Sequence, residues 1–96
     1  MNSVISLTKK AKKNLRKVPI YIVRKFQKWT TIVESLGIEE TRKIPGYHDE
    51  PLSGSRMGQR SIRLSKSYRA IYVERRGIIE VEIIKIKVKE VSKHEY

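Results

Sequence analysis

The sequence predicts an α+β fold, with an N-terminal strand and a two-helix hairpin packed on an antiparallel sheet that ends in three consecutive strands. Two observations carry this expectation. An unbroken apolar stripe at helical spacing fills residues 22–36, and three strand-like runs separated by short turns fill the second half. The chain has 96 residues, read as one domain over 1–96, because a second core would need roughly 50 residues of its own.

Val4, Ile5 and Leu7 fit a short first strand. Thr8 is placed to cap the following helix, its hydroxyl accepting from an early helical N–H. Ala11, Leu15 and Val18 give that helix a narrow apolar stripe. Pro19 suits the first turn of a second helix, where its missing N–H costs nothing. Ile22, Phe26, Trp29, Val33 and Leu36 recur at intervals of 4, 3, 4 and 3, and Gly37 stands as the C′ residue. Residues 38–43 add a helical turn before Pro45-Gly46 breaks the chain, and 44–59 is weakly structured. Strands are expected over about 59–64 and 68–74, and from 78 towards 88, with turns at Ser65-Lys66-Ser67 and Arg75-Arg76-Gly77. Turns this short make the three strands antiparallel. In the last run the apolar parity switches from Ile79, Val81 and Ile83 to Ile84, Ile86 and Val88. A bulge near Ile83-Ile84 would keep one apolar face on the core.

Charge narrows the function. There are 22 Lys and Arg against 10 Asp and Glu, a net +12 with a pI near 10.2. Such a balance on so small a chain points to a polyanionic partner, nucleic acid or an acidic protein. With no cysteine, a disulfide framework, a Cys-ligated zinc site and a thiol nucleophile are excluded. His48 and His94 are too few for a His-rich metal site, so neither metal nor cofactor is expected. Every apolar run is short and interrupted by charge, which argues against a membrane span. The first residues lack the order of a secretory signal, so a cytoplasmic protein is expected.

Between residues 9 and 28 lie nine cations, Lys9, Lys10, Lys12, Lys13, Arg16, Lys17, Arg24, Lys25 and Lys28, with no acid before Glu34. Ordinary surface decoration mixes the two signs. A second acid-free stretch, 51–73, carries Arg56, Arg60, Arg63, Lys66 and Arg69. On strands with alternating side chains these cations can gather on the sheet face left open by the helices and bind RNA. Tyr47, Tyr68 and Tyr72 either offer stacking surfaces for bases or pack at the sheet rim. The chain ends in Lys93, His94 and Tyr96, which bring together an amine, an imidazole and a phenol. Cleaving RNA without a metal requires a base for the 2′-OH, an acid for the leaving 5′-oxygen and cations on the phosphate. His94, with an unperturbed pKa of about 6.5, both accepts and donates near neutrality. The other reading of this segment is a polar tail.

These residues carry a family likeness. The segment Leu52-Ser53-Gly54-Ser55-Arg56-Met57-Gly58-Gln59-Arg60-Ser61-Ile62-Arg63-Leu64, followed by Tyr68-Arg69-Ala70-Ile71-Tyr72, resembles the centre of bacterial RelE/HigB-type toxins. That pattern is a Leu-x-Gly-x-Arg-x-Gly approach, a strand with an alternating basic residue, a turn, and a strand opening Tyr-Arg. The ending Val88-Lys89-Glu90-Val91-Ser92-Lys93-His94-Glu95-Tyr96 resembles the family's last strand and catalytic tail.

The resemblance implies a RelE-like fold and the toxin of a type II toxin–antitoxin pair, which cleaves mRNA, commonly on the ribosome. Its implied partners are a cognate antitoxin, mRNA and the ribosome, with no membrane and no cofactor. Arg69 matches the family's arginine on the scissile phosphate, and Arg63 a basic residue of the preceding strand. Tyr96 matches the tyrosine of the tail, and His94 falls where HigB-like members carry a histidine. Arg56, Arg60, Lys66, Tyr68 and Lys93 are the implied RNA-binding set. Glu90 stands where RelE proper has a second arginine, and Ser61 replaces a strand lysine, which shifts the likeness towards HigB. ParE toxins share this fold, poison DNA gyrase and lack the catalytic set. Three readings therefore stand at this point: an mRNA endonuclease, a gyrase inhibitor and a plain nucleic-acid-binding module.

Overall fold

The computed structural model describes residues 4–86. Strand β1 (Val4–Leu7) leads into helix α1 (Lys9–Leu15). Thr8 caps α1 as expected, its Oγ1 accepting from the Ala11 N–H at 2.9 Å. Helix α2 (Ile20–Leu36) begins just after Pro19. Pro19 is the N-cap rather than a first-turn residue, because its ψ of 149° is extended while its carbonyl already accepts from Ile22 and Val23.

Of the expected stripe, Ile22, Phe26, Trp29 and Val33 are buried, but Leu36 is 58 % exposed. The cause is Gly37. At φ 87° and ψ 159° it ends α2 and at once starts a short helix, α3 (Ile38–Thr41). That backbone region is essentially reserved for glycine. The redirected chain buries Ile38 in place of Leu36.

The sheet holds five strands in the order β1-β5-β4-β3-β2. They are completed by β2 (Glu50–Pro51), β3 (Arg60–Arg63), β4 (Tyr68–Arg75) and β5 (Ile78–Lys85). β3, β4 and β5 are consecutive and antiparallel, as the short turns require. Two further pairings enlarge the expected sheet. β1 runs parallel to β5, so the sheet is mixed, and β2 pairs antiparallel with β3. The stretch expected to be weakly structured thus supplies an edge strand and two short 3₁₀ turns, Pro45–Tyr47 and Gly54–Arg56.

The expected bulge is absent, since β4 and β5 keep one register from Tyr68 opposite Lys85 to Arg75 opposite Ile78. Ile83 therefore faces the core, and Ile84 falls on the other face beside Arg69, where it stays half-buried. The parity switch has two apolar environments to serve, so no extra residue is needed. Val88 and the rest of the expected strand lie outside the described residues. The β4–β5 hairpin turns on Arg76 and Gly77, at φ 55° and 83°. Two central residues of positive φ match the right-handed strand twist.

The face carrying Ile62, Leu64, Ala70, Tyr72, Ile79, Val81 and Ile83 packs against the α2 stripe. α1 covers the β5 edge beyond the end of β1, with Asn14 Nδ2 donating to the Ile83 carbonyl at 2.6 Å. An unpaired strand edge is blunted this way. The opposite sheet face carries no helix among the described residues, and it is the face that holds the site. Within these residues no helix is long and apolar enough to cross a membrane.

Candidate functional site

Strand alternation divides the functional candidates between the two faces. Register places Arg63 directly opposite Arg69, with Ile84 next in the same row. Glu50, Ser61, Ile71 and Glu82 form the neighbouring row on this open face. Like charges directly opposite each other across a strand pair are unfavourable. Among the described residues, neither Arg63 nor Arg69 takes part in an ion pair.

Burial holds the Arg69 guanidinium below its ordinary range, and the Arg63 charge pushes it lower, against a partial offset from Glu50. One nitrogen is tethered, Nη1 donating to the carbonyls of Ser65 at 2.6 Å and Tyr68 at 3.2 Å. The remaining donors of a planar five-donor fork are left for a ligand. Two guanidinium groups at opposite positions of an open face, one of them held in place, have the chemistry to bind a phosphate-like anion.

Arg60 lies on the other face, in register with Tyr72. Its Nε donates to Asp49 Oδ1 at 2.6 Å, and the Tyr72 hydroxyl donates to Asp49 Oδ2 at 2.5 Å. Arg42 Nε donates to the same hydroxyl at 3.1 Å. The Asp49 side chain is only 1 % exposed while Arg60 reaches solvent, and the network ties the end of α3, the start of β3 and the middle of β4 to the segment before β2. Burial, together with the bond donated to Asp49, pushes the Tyr72 phenol up to about 12.

An unfolded tyrosine titrates near 10. A raised folded value means stability present below about pH 10 and lost between about 10 and 12. Denaturant unfolding over that range should show the parent losing about 2–3 kcal/mol relative to Tyr72→Phe, which has no proton to lose. Two curves that stay parallel would refute the assignment.

The other candidates separate in the same way. Tyr47 and Tyr72 are buried in the core, so they neither offer a stacking surface nor sit at the sheet rim. Tyr68 is half-buried with the Lys85 ammonium 6.0 Å from its ring centroid. Arg56, in the loop before β3, donates from Nη1 to Gln59 Oε1 at 2.9 Å and to Glu82 Oε1 at 3.3 Å. Lys66 is exposed in the β3–β4 turn. Lys93, His94 and Tyr96 lie outside the described residues. The nine cations of residues 9–28 are all exposed, and two of them, Lys10 and Lys17, line a depression shared with Tyr68, Ile84 and Lys85, next to the row that holds the arginine pair.

Asp49 and Glu50 escaped the sequence reading. Their placement depends on β2, which at two residues is too short to show a period. The parity of Arg60 against Arg63 was available, and it alone assigns the two to opposite faces. Among the described residues no three His, Asp or Glu side chains converge as metal ligands.

No family model matches the chain, and no curated protein matches it in sequence. Solved structures do match, and they define its class: the chain has the fold of the RelE/ParE-superfamily toxins. YafQ from E. coli strain BL21(DE3) is 16% identical with a TM-score of 0.69, covering 86% of this chain and 92% of its own. The archaeal RelE–RelB complex from Pyrococcus horikoshii OT3 gives 22% identity and a TM-score of 0.69, covering 88% and 96%. The toxin–antitoxin complex RelBE2 from Mycobacterium tuberculosis gives 16% and 0.65, covering 88% and 99%.

Proposed function

We propose that this chain is the toxin of a type II toxin–antitoxin pair, a metal-independent endoribonuclease that cleaves ribosome-bound mRNA in the cytoplasm. The Arg63–Arg69 pair is the observation that carries the reading. A phosphodiester between the two guanidinium groups relieves their repulsion and receives charge-assisted bonds that strengthen as negative charge grows in the transition state. Glu50 stands in the next row, its carboxylate on the same face, and takes the 2′-OH proton. The freed 2′-oxygen attacks phosphorus as the bond to the 5′-oxygen breaks. His94 donates the proton that this leaving oxygen needs, and Tyr96 stacks on the nucleotide to hold it in line. The products are a 2′,3′-cyclic phosphate and a 5′-hydroxyl.

An antitoxin partner is supported by the matching folds solved as RelE–RelB and RelBE2 complexes and by a charge of +12, which favours an acidic protein. Inducing the gene and following transcripts tests the activity. Message cleaved within minutes supports the nuclease, whereas filamentation with intact message supports a gyrase inhibitor. In a ribosome-bound cleavage assay, His94→Ala should lose about 10²–10⁴-fold, and removal of Tyr96 a similar or smaller factor. Glu50→Gln should lower the cleavage rate by a comparable factor. Losses below about threefold in all three would leave the arginines as the whole of the machinery.

A further inference from the structure

Beside the arginine pair, the open face holds a shallow depression of about 220 Å³ lined by Gln59, Ile71, Val73, Arg75, Glu80 and Glu82. Its floor is apolar. Ile71, 4 % exposed, lies two residues along β4 from Arg69 on the same face, a separation of about 7 Å by strand rise. Its wall is polar and ordered: a single nitrogen, Arg56 Nη1, bonds both Gln59 Oε1 and Glu82 Oε1, so these two side chains sit next to each other.

We propose that this depression receives the base of the nucleotide adjoining the bound phosphate and selects guanine. The inference rests on reading Arg63 and Arg69 as the phosphate site. Carboxylates on a face that takes a polyanion work against binding unless they serve the ligand. Here Arg56 and Arg75 offset the charge of Glu82 and Glu80, at 3.3 and 3.6 Å. Glu82 keeps lone pairs to accept from a base. Gln59, its carbonyl oxygen engaged by Arg56, turns its amide NH₂ into the available donor. Two acceptors beside one donor match the Watson–Crick edge of guanine, whose N1–H and amino group adjoin the O6 acceptor. Adenine presents an acceptor, N1, where guanine presents a donor, and uracil offers one donor flanked by two acceptors. Ile71 and Val73 then cover one face of the ring, as apolar side chains do in other base pockets.

The test is binding, so it stands apart from whether the chain cleaves RNA. The full chain is titrated with GMP, AMP, CMP and UMP, followed by the methyl resonances of Ile71 and Val73. GMP should bind roughly tenfold more tightly than the other three and shift both methyls. Glu82→Gln should collapse that spread. Arg69→Ala should weaken all four nucleotides alike and keep their order. Equal affinities in the parent, an unchanged order in Glu82→Gln, or methyls that do not respond to GMP would each overturn the base pocket. Failure of Arg69→Ala to weaken any nucleotide would instead overturn the phosphate site beneath it. Glutamine in place of Glu82 keeps its shape and a side-chain oxygen that can still accept from the half-buried Arg56, so Glu82→Gln should remain folded.

Discussion

Arg69→Ala should lower RNA cleavage by about 10²–10³-fold, the cost of removing a donor from a growing phosphate charge, while the protein melts close to its parent. The near-constant stability follows from two opposing terms. The variant loses the bonds from Nη1 to the carbonyls of Ser65 and Tyr68, and it relieves the direct opposition to Arg63. Each is worth about 1 kcal/mol or less at a half-exposed site. Arg69→Lys keeps the charge but loses the planar fork, so it should recover only part of the rate. Sulfate reports the same site without any chemistry. An anion that binds the folded state raises its melting temperature by mass action, and the rise should be larger in the parent than in Arg69→Ala or Arg63→Ala. Equal responses to sulfate in all three, or a fully toxic Arg69→Ala, would remove the anion site from the open face.

The parts of this architecture legible in the sequence are those with local causes. The α2 stripe follows from spacing alone, and the β3–β4–β5 meander follows from two short turns between apolar runs. Arg63 and Arg69 were identifiable from the Tyr-Arg opening and from their parity, which a regular register converts into adjacency. What stayed hidden is non-local or lacks a period. β1 finds β5 across more than 70 residues of chain, with Val4 opposite Ile78, and nothing within four residues can announce a parallel partner. The bulge expected at Ile83-Ile84 assumed that every apolar residue of the last strand seeks the α2 core. Ile84 instead stays half-buried on the open face. Leu36 continued the stripe on paper, but Gly37 turns the backbone before it can be covered. Lys93, His94 and Tyr96, which the family resemblance singled out, lie outside the described residues, and their roles rest on that resemblance and on acid–base chemistry.

Asp49→Ala is expected to be strongly destabilising, by about 3 kcal/mol, the lower end of the cost of breaking a buried charge pair, because Arg60 keeps part of its side chain in solvent. Asp49 is 1 % exposed and accepts from Arg60 and Tyr72 at once. Alanine leaves a half-buried guanidinium without its counterion and a buried phenol with no acceptor, the second a desolvation cost with nothing to offset it. Small domains have only about 5–15 kcal/mol of stability in total, so the midpoint of denaturant unfolding should fall steeply. Asp49→Asn separates shape from charge. Its amide oxygen still accepts from Arg60, and its NH₂ can donate to the Tyr72 hydroxyl, which already accepts from Arg42. The cost should drop to about 1–2 kcal/mol, that of exchanging charged hydrogen bonds for neutral ones. The same substitution reaches the site through one peptide bond. Asp49 anchors the segment that places Glu50 opposite Ser61, so Asp49→Asn should lower the cleavage rate while its affinity for sulfate stays that of the parent. An Asp49→Ala protein that unfolds within about 1 kcal/mol of the parent would mean that Arg60 and Tyr72 find water or each other, and that the edge strand carrying Glu50 is held by its backbone ladder alone.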